Sequence, residues 1–376
     1  MITDNQLLSL SKFYFSKQDE EVLQNSFAMP VNWKLLYQMT VQHGVVPQVF
    51  RQLSRLKQIV GVPEWFEKDL AQQAYKIAIL NQTLLSEVKE MASMVPSTRI
   101  IALKGAALNL SLYKDELLRS MGDIDVMVPY ADAEQVRECF LRHGWKSDFV
   151  DGYRSKAHRQ EFERTQKSLP YIYKGDYAYF ADLHWKFYNG PDDERMAQLA
   201  FQTAIPLSDG LLRMSNEMML IHLSINFAKD WRNGVRLRSL CDIRELLLAA
   251  SIKWEVIDSY RLPEKVMDWC CFTWSAVEAY FGVKVPAPYR CKHRLGTLSN
   301  MLRNKRSGAK KGVKALLHKL KELSKQPYFV RYIWRSIVPA SSWLKHHYPT
   351  VKMPLLRYWR YLLKRYVLQQ PIRYCD

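Results

Sequence analysis

The sequence predicts an α+β fold, a small mixed sheet flanked by N- and C-terminal helical regions. Three observations carry that expectation. One long apolar stripe at helical spacing precedes residue 96, short β-like runs alternate with helical ones between 99 and 187, and capped helical patterns return from Ser215. With 376 residues, 48% apolar content, 14 Gly and 16 Pro, the chain can bury one or two cores and is neither disordered nor fibrous in composition.

Near the N-terminus, Asn32 is placed to cap a helix through Trp33, Leu35, Leu36 and Met39, with Gly44 as its stop. After Pro63, the residues Phe66, Leu70, Ile77, Leu80, Leu84, Val88, Met91 and Val95 recur at helical steps, which predicts a long amphipathic helix. The texture then changes: a strand over 99–103, a helix opening at Gly105, a strand over 123–128, a helix over 131–142 and a further run after Gly144. Strand candidates follow at 169–175 and 177–187, then helices from Ser215 to about Lys229, over 236–250 and over 264–282. The expected division is an N-terminal helical region at 1–95, an α/β core at 96–205, a C-terminal helical domain at 206–288 and a basic, aromatic-rich tail at 289–376.

The first 21 residues lack a cationic segment followed by an apolar one, and no apolar run approaches the roughly 18 residues a membrane span needs. The expectation is a cytoplasmic protein. Its cysteines, at 139, 241, 270, 271, 291 and 375, show no metal-clip spacing and suit small buried hydrophobes in a reducing compartment. Charge is divided unevenly. Residues 290–376 hold 21 Lys and Arg against two acids, Glu322 and Asp376, whereas the rest of the chain holds 34 bases and 35 acids. The net +18 therefore belongs to the tail, and so does any attraction to anionic partners.

The chemistry is expected around Asp123-Ile124-Asp125. Strand alternation sends both carboxylates to one side while Ile124 and Val126 pack on the other. Adjacent carboxylates repel unless a cation lies between them, and hard oxygen ligands suit Mg²⁺ or Mn²⁺. Gly105 stands where a strand gives way to a helix, a position where backbone can approach a phosphate. A lone Asp-x-Asp is common; strand, glycine, helix and then Asp-x-Asp between apolar residues is a narrower conjunction.

These residues resemble the nucleotidyltransferase superfamily typified by DNA polymerase β, with its glycine motif, Asp-x-Asp strand and third acid on a later strand. Within it, the chain is similar to a bacterial group of uncharacterised nucleotidyltransferases. The motifs are Leu103-Lys104-Gly105, Arg119, Asp123-Ile124-Asp125 and Asp182-Leu183-His184-Trp185, and the likeness extends through His43-Gly44-Val45, Leu220 to Leu223 and Leu240 to Ile243. The resemblance implies a polymerase β-like core and transfer of a nucleoside monophosphate from an NTP to an acceptor hydroxyl. Asp123, Asp125 and Asp182 would be catalytic and hold metal, and Lys104, Gly105, Arg119 and His184 would serve the phosphates. Where the superfamily usually carries Gly-Ser or Gly-Gly, this chain has Gly105-Ala106, so a hydroxyl contact to phosphate is missing. A nucleotide-sugar glycosyltransferase, which also uses Asp-x-Asp and a metal, is the rival enzyme. A degenerate nucleotidyltransferase fold acting as a binding module is the rival outside catalysis.

In the tail, Val313, Leu316, Leu317, Leu320 and Leu323 form an apolar stripe among lysines, a basic amphipathic helix. Beyond it, Trp334, Trp343, Tyr348, Tyr358 and Trp359 are interleaved with basic residues. That combination suits an anionic membrane surface at the inner face, a nucleic acid, or helices packed on the body with solvated lysines.

Overall fold

Apolar residues at three- and four-residue steps fold the N-terminal part of the chain into six helices, α1 (Ile2–Leu10), α2 (Lys17–Phe27), α3 (Trp33–His43), α4 (Val46–Arg51), α5 (Leu53–Ile59) and α6 (Glu64–Met94). The computed structural model describes residues 2–113, 119–146, 167–173, 180–188, 194–231, 236–291, 302 and 353–362. The Asn32 side chain accepts from the Leu35 N–H at 3.0 Å to start α3, and Gly44 ends it in the left-handed region at φ +67°. Helix α6 begins directly after Pro63 and buries Phe66, Leu70, Leu84, Leu85, Val88 and Met91 along one side.

Seven strands follow: β1 (Ile100–Ala102), β2 (Ile124–Met127), β3 (Trp145–Lys146), β4 (Ser168–Tyr173), β5 (Phe180–His184), β6 (Ile205–Pro206) and β7 (Leu211–Arg213). They form one sheet in the order β3-β4-β5-β2-β1-β7-β6. The sheet is mixed: β1 runs antiparallel to β2 and parallel to β7, and β2 runs parallel to β5. Every residue of β1 and β2 is buried, as central strands covered on both faces require. The short pair β6–β7, beyond the expected end of the core at 205, continues the sheet beside β1 through a turn at Asp209-Gly210 with both φ angles positive.

Between β1 and β2 the chain forms α7 (Lys104–Leu108) and a single π-helical turn, Asn109–Tyr113. Helices α8 (Ala133–Arg142) and α9 (Glu194–Gln202) complete the sheet region. The C-terminal helices are α10 (Asn216–Asp230), α11 (Leu237–Ala249), α12 (Trp254–Ser259) and α13 (Glu264–Phe281). Helix α10 is buried along nearly its whole length, between α11 and α13, and the Trp274 indole N–H donates to Ser224 Oγ at 2.9 Å inside that packing. Residues 1–146 with 170–305 form one compact unit, and 147–169 with 306–376 form another. In the second unit only residues 167–169 and 353–362, the latter containing α14 (Pro354–Leu362), are described. The amphipathic helix expected over 313–323 lies outside the described residues, as does most of the strand expected after Gly144. Among the described residues no helix is long and apolar enough to cross a membrane.

Two polar ties bind the helices of the first unit to one another. The Arg244 guanidinium donates to Asp19 Oδ2 at 3.0 Å and to Glu245 Oε1, which also accepts the Phe13 N–H at 3.0 Å. His43, 2% exposed, accepts the Leu237 N–H at Nδ1 and donates from Nε2 to the Leu302 carbonyl at 2.9 Å. Those two bonds require the neutral imidazole, and burial holds its pKa below the ordinary value of 6.5 despite the Leu302 bond. The unfolded chain therefore takes up a proton near pH 6.5 that the folded protein refuses, so this contribution is present above that pH and lost as pH falls through and below it. Melting curves between pH 5 and pH 7.5 are expected to show a decline below about pH 6.5 that His43→Gln, with an amide donor and acceptor in place of the ring, makes shallower.

Candidate active site

The parallel register of β2 and β5 sets Asp125 directly opposite Asp182, and one turn of the β5 pleat further on His184 lies on the same face. Asp125 is 4% exposed and His184 is fully buried, while the Asp182 side chain keeps about a third of its surface in solvent. His184 Nε2 lies 2.8 Å from Asp125 Oδ1 and 3.9 Å from Asp182 Oδ2. One ligand atom from each of Asp125, Asp182 and His184 falls within 4.8 Å of the others.

The fourth member, Lys104, stands just after β1, at the start of α7. The Leu103 N–H bonds to the Asp125 carbonyl at 3.0 Å, closing the end of β1 on β2, and the next residue, Lys104, has a positive φ of 40°. A side chain held there costs on the order of 1 kcal/mol relative to glycine. The turn it makes brings the ammonium 2.6 Å from Asp125 Oδ1. Burial alone would push the Asp125 carboxyl up; the Lys104 charge and the His184 hydrogen bond outweigh it and hold the group well below the usual range. Asp125 is thus an anion, and His184 Nε2 is the donor toward it. Asp123 precedes β2, is exposed, and stands outside the three-residue group. Loss of hydration and the Asp125 charge beside it raise its pKa.

Arg119 and Gly105 are drawn together, away from solvent. Arg119, 6% exposed, donates from Nε and Nη2 to Asp242 Oδ2, both at 3.0 Å, and Tyr113 donates to Asp242 Oδ1 at 2.9 Å. Its backbone is gripped as well: Asn81 and Asn109 each donate to the Arg119 carbonyl at 2.9 Å, and the Arg119 N–H donates to Asn109 Oδ1 at 3.1 Å. Gly105 is where this assembly presses on α7, since a Cβ there would stand 2.7 Å from both Arg119 Nη1 and Met121 Cγ. The near approach that needs glycine is in this structure one of side chains. Asp242, within the Leu240 to Ile243 segment, is the anchor of the loop that leads into the acidic strand.

A family model described as "Uncharacterised nucleotidyltransferase" matches residues 29–262, which include the sheet, Lys104, both carboxylates of the group, His184 and Asp242. The chain belongs to this nucleotidyltransferase family. Comparison with curated proteins gave no match. In this nucleotidyltransferase the donor set fits a hard divalent cation: two facing carboxylates supply oxygens, and His184, on the same face, hydrogen-bonds Asp125. A cation entering there meets the Lys104 ammonium already at Asp125, so the lysine has to withdraw or share the carboxylate.

Sequence reasoning did not identify Asn81, Asn109 and Tyr113, which position Arg119, nor Arg238, which donates to the Ser120 carbonyl and, at 2.9 Å, to Ser120 Oγ. The two asparagines could have been noticed as polar residues on otherwise apolar helical faces. Gly105→Ala is expected to lower stability by about 1–3 kcal/mol in urea unfolding, because its new methyl meets a guanidinium pinned from the opposite side. Asp242→Asn, which leaves a buried guanidinium without its counter-charge, is expected to cost about 3–5 kcal/mol by the same measurement.

Proposed function

We propose that the protein is a polymerase β-like, Mg²⁺- or Mn²⁺-dependent enzyme that transfers a nucleoside monophosphate from an NTP to an acceptor hydroxyl. The observation that carries the reading is the convergence of Asp125, Asp182 and His184 from neighbouring strands, in a chain of a nucleotidyltransferase family. The acceptor oxygen attacks the α-phosphorus and gives up its proton, while the bond from that phosphorus to the β-bridging oxygen breaks and pyrophosphate leaves with the electron pair. A bound divalent cation would neutralise charge on the phosphates as this happens. Asp125, Asp182 and the more exposed Asp123 would hold it. Asp182, partly open to solvent, would take the acceptor proton. Lys104 supplies a positive charge on a phosphate once it leaves Asp125, and His184 keeps the Asp125 carboxylate aimed.

A second reading, a nucleotide-binding module without turnover, is favoured by Ala106 at the usual hydroxyl position and by the Lys104 bridge across Asp125. Purified protein incubated with each labelled NTP, Mg²⁺ and a mixed pool of hydroxyl acceptors is expected to release pyrophosphate. Asp125→Asn should abolish the release and Asp182→Asn should slow it by about 10²–10⁴-fold, with both variants folded. Pyrophosphate release that Asp125→Asn leaves unchanged overturns the assignment, and binding without release in the wild type favours the module.

The tail is the part we assign to an anionic membrane surface. On α14, Leu355, Leu356 and Trp359 are each more than half exposed and recur at three- and four-residue steps, within a region carrying 21 basic residues. About 1 kcal/mol per basic residue near an anionic bilayer makes a few such contacts sufficient for peripheral binding. The full chain is expected to sediment with anionic but not neutral vesicles, less so at high salt, and Leu356→Ser with Trp359→Ser should remove the salt-resistant part. Sedimentation that ignores lipid charge, or retention on RNA instead, would defeat this assignment.

A further inference from the structure

The loop that leads into the acidic strand lies between two guanidinium groups with different fates. Arg119 is neutralised by Asp242. Arg238, in the first turn of α11, is half-buried and uses only Nη1, on the Ser120 carbonyl and hydroxyl; Ser120 Oγ in turn donates to the Gly44 carbonyl at 3.0 Å. Its Nε is buried with no acceptor, and among the described residues no acceptor meets Nη2 and no carboxylate lies within ion-pair distance. Burial, then the charges of Arg119 and Arg236, push its pKa down to about 9 against the opposing pull of Asp242 and Asp123. It remains a cation at neutral pH, and it sits at the start of a helix, where the backbone dipole already favours an anion over a cation.

A half-buried cation with a buried, unpartnered Nε and an uncommitted Nη2 is costly unless an anion lies against it. Three residues beyond Ser120 is Asp123, at the exposed rim of the site, and its charge and that of Arg238 act on each other. We propose that Arg238 binds a phosphate of the nucleotide that is not transferred, through Nη2, at the rim beside Asp123. The assignment rests on the nucleotidyltransferase reading above and extends it to the leaving group: Arg238 takes negative charge that one divalent cation and Lys104 leave uncancelled. Arg119, by contrast, is a positioning residue, locked behind the loop that presents Ser120 to Arg238.

Inorganic tripolyphosphate with Mg²⁺ is a probe that needs neither base nor acceptor, and its binding can be followed by calorimetry and by the rise in melting temperature. The wild type is expected to bind it. Arg238→Gln should weaken the binding roughly ten- to hundredfold, the worth of a charge-assisted hydrogen bond or two. Arg238→Lys, which keeps charge but not the fork, should fall between, and its native melting transition guards against a folding defect. Arg236→Gln, an exposed cation on the same turn, should bind within about twofold of the wild type. Equal binding by Arg238→Gln and wild type overturns the role of Arg238 and leaves the nucleotidyltransferase reading standing. If the wild type binds neither tripolyphosphate nor any NTP, the nucleotide reading itself falls and the assignment with it.

Discussion

The buried contact between Arg119 and Asp242 joins three parts of the fold that are far apart in sequence. Asp242 belongs to α11, Arg119 ends the connection from the π-helical turn, and Tyr113 on that turn shares the same carboxylate. Because Asn81 on α6 and Asn109 both hold the Arg119 backbone, the loop that enters β2 is fixed from the N-terminal helices, from its own turn and from the C-terminal helices at once. The position of Asp125 against Asp182 is downstream of that fixation, since β2 can take only the register its entry allows. A buried ion pair adds little net stability by itself; here it makes one geometry of the site much better than its alternatives.

Much of this was legible from local signals. The cap at Asn32, the left-handed stop at Gly44, the helix after Pro63 and the start of α10 at Ser215 all depend on contacts within a turn of the residue concerned, and sequence carries such contacts directly. The strand bearing Asp125 and the strand bearing Asp182 were visible as apolar runs with acids at fixed offsets. What spacing does not contain is partnership across the chain. Arg119 before the acidic strand reads as a phosphate ligand until Asp242, more than a hundred residues later, is seen to hold it. Gly105 reads as room for a phosphate until Arg119 and Met121 are seen against its Cα. The pair β6–β7 is too short to show alternation, and only its Asp209-Gly210 turn marked it.

The Lys104–Asp125 contact bears on how the protein behaves without a bound cation. With its ammonium on Asp125, the acidic strand ends are charge-balanced by the chain itself, so folding does not wait on a cation from solution. On the metal-dependent reading proposed above, chelation would remove catalysis and leave structure intact, unlike a zinc finger, whose fold is lost with its ion. The tethered amine would also compete with any incoming cation at a high effective concentration, so that on the proposed reading occupancy of the carboxylates would follow the supply of free cation and of phosphate together, one nucleotide drawing the lysine away and carrying the cation in.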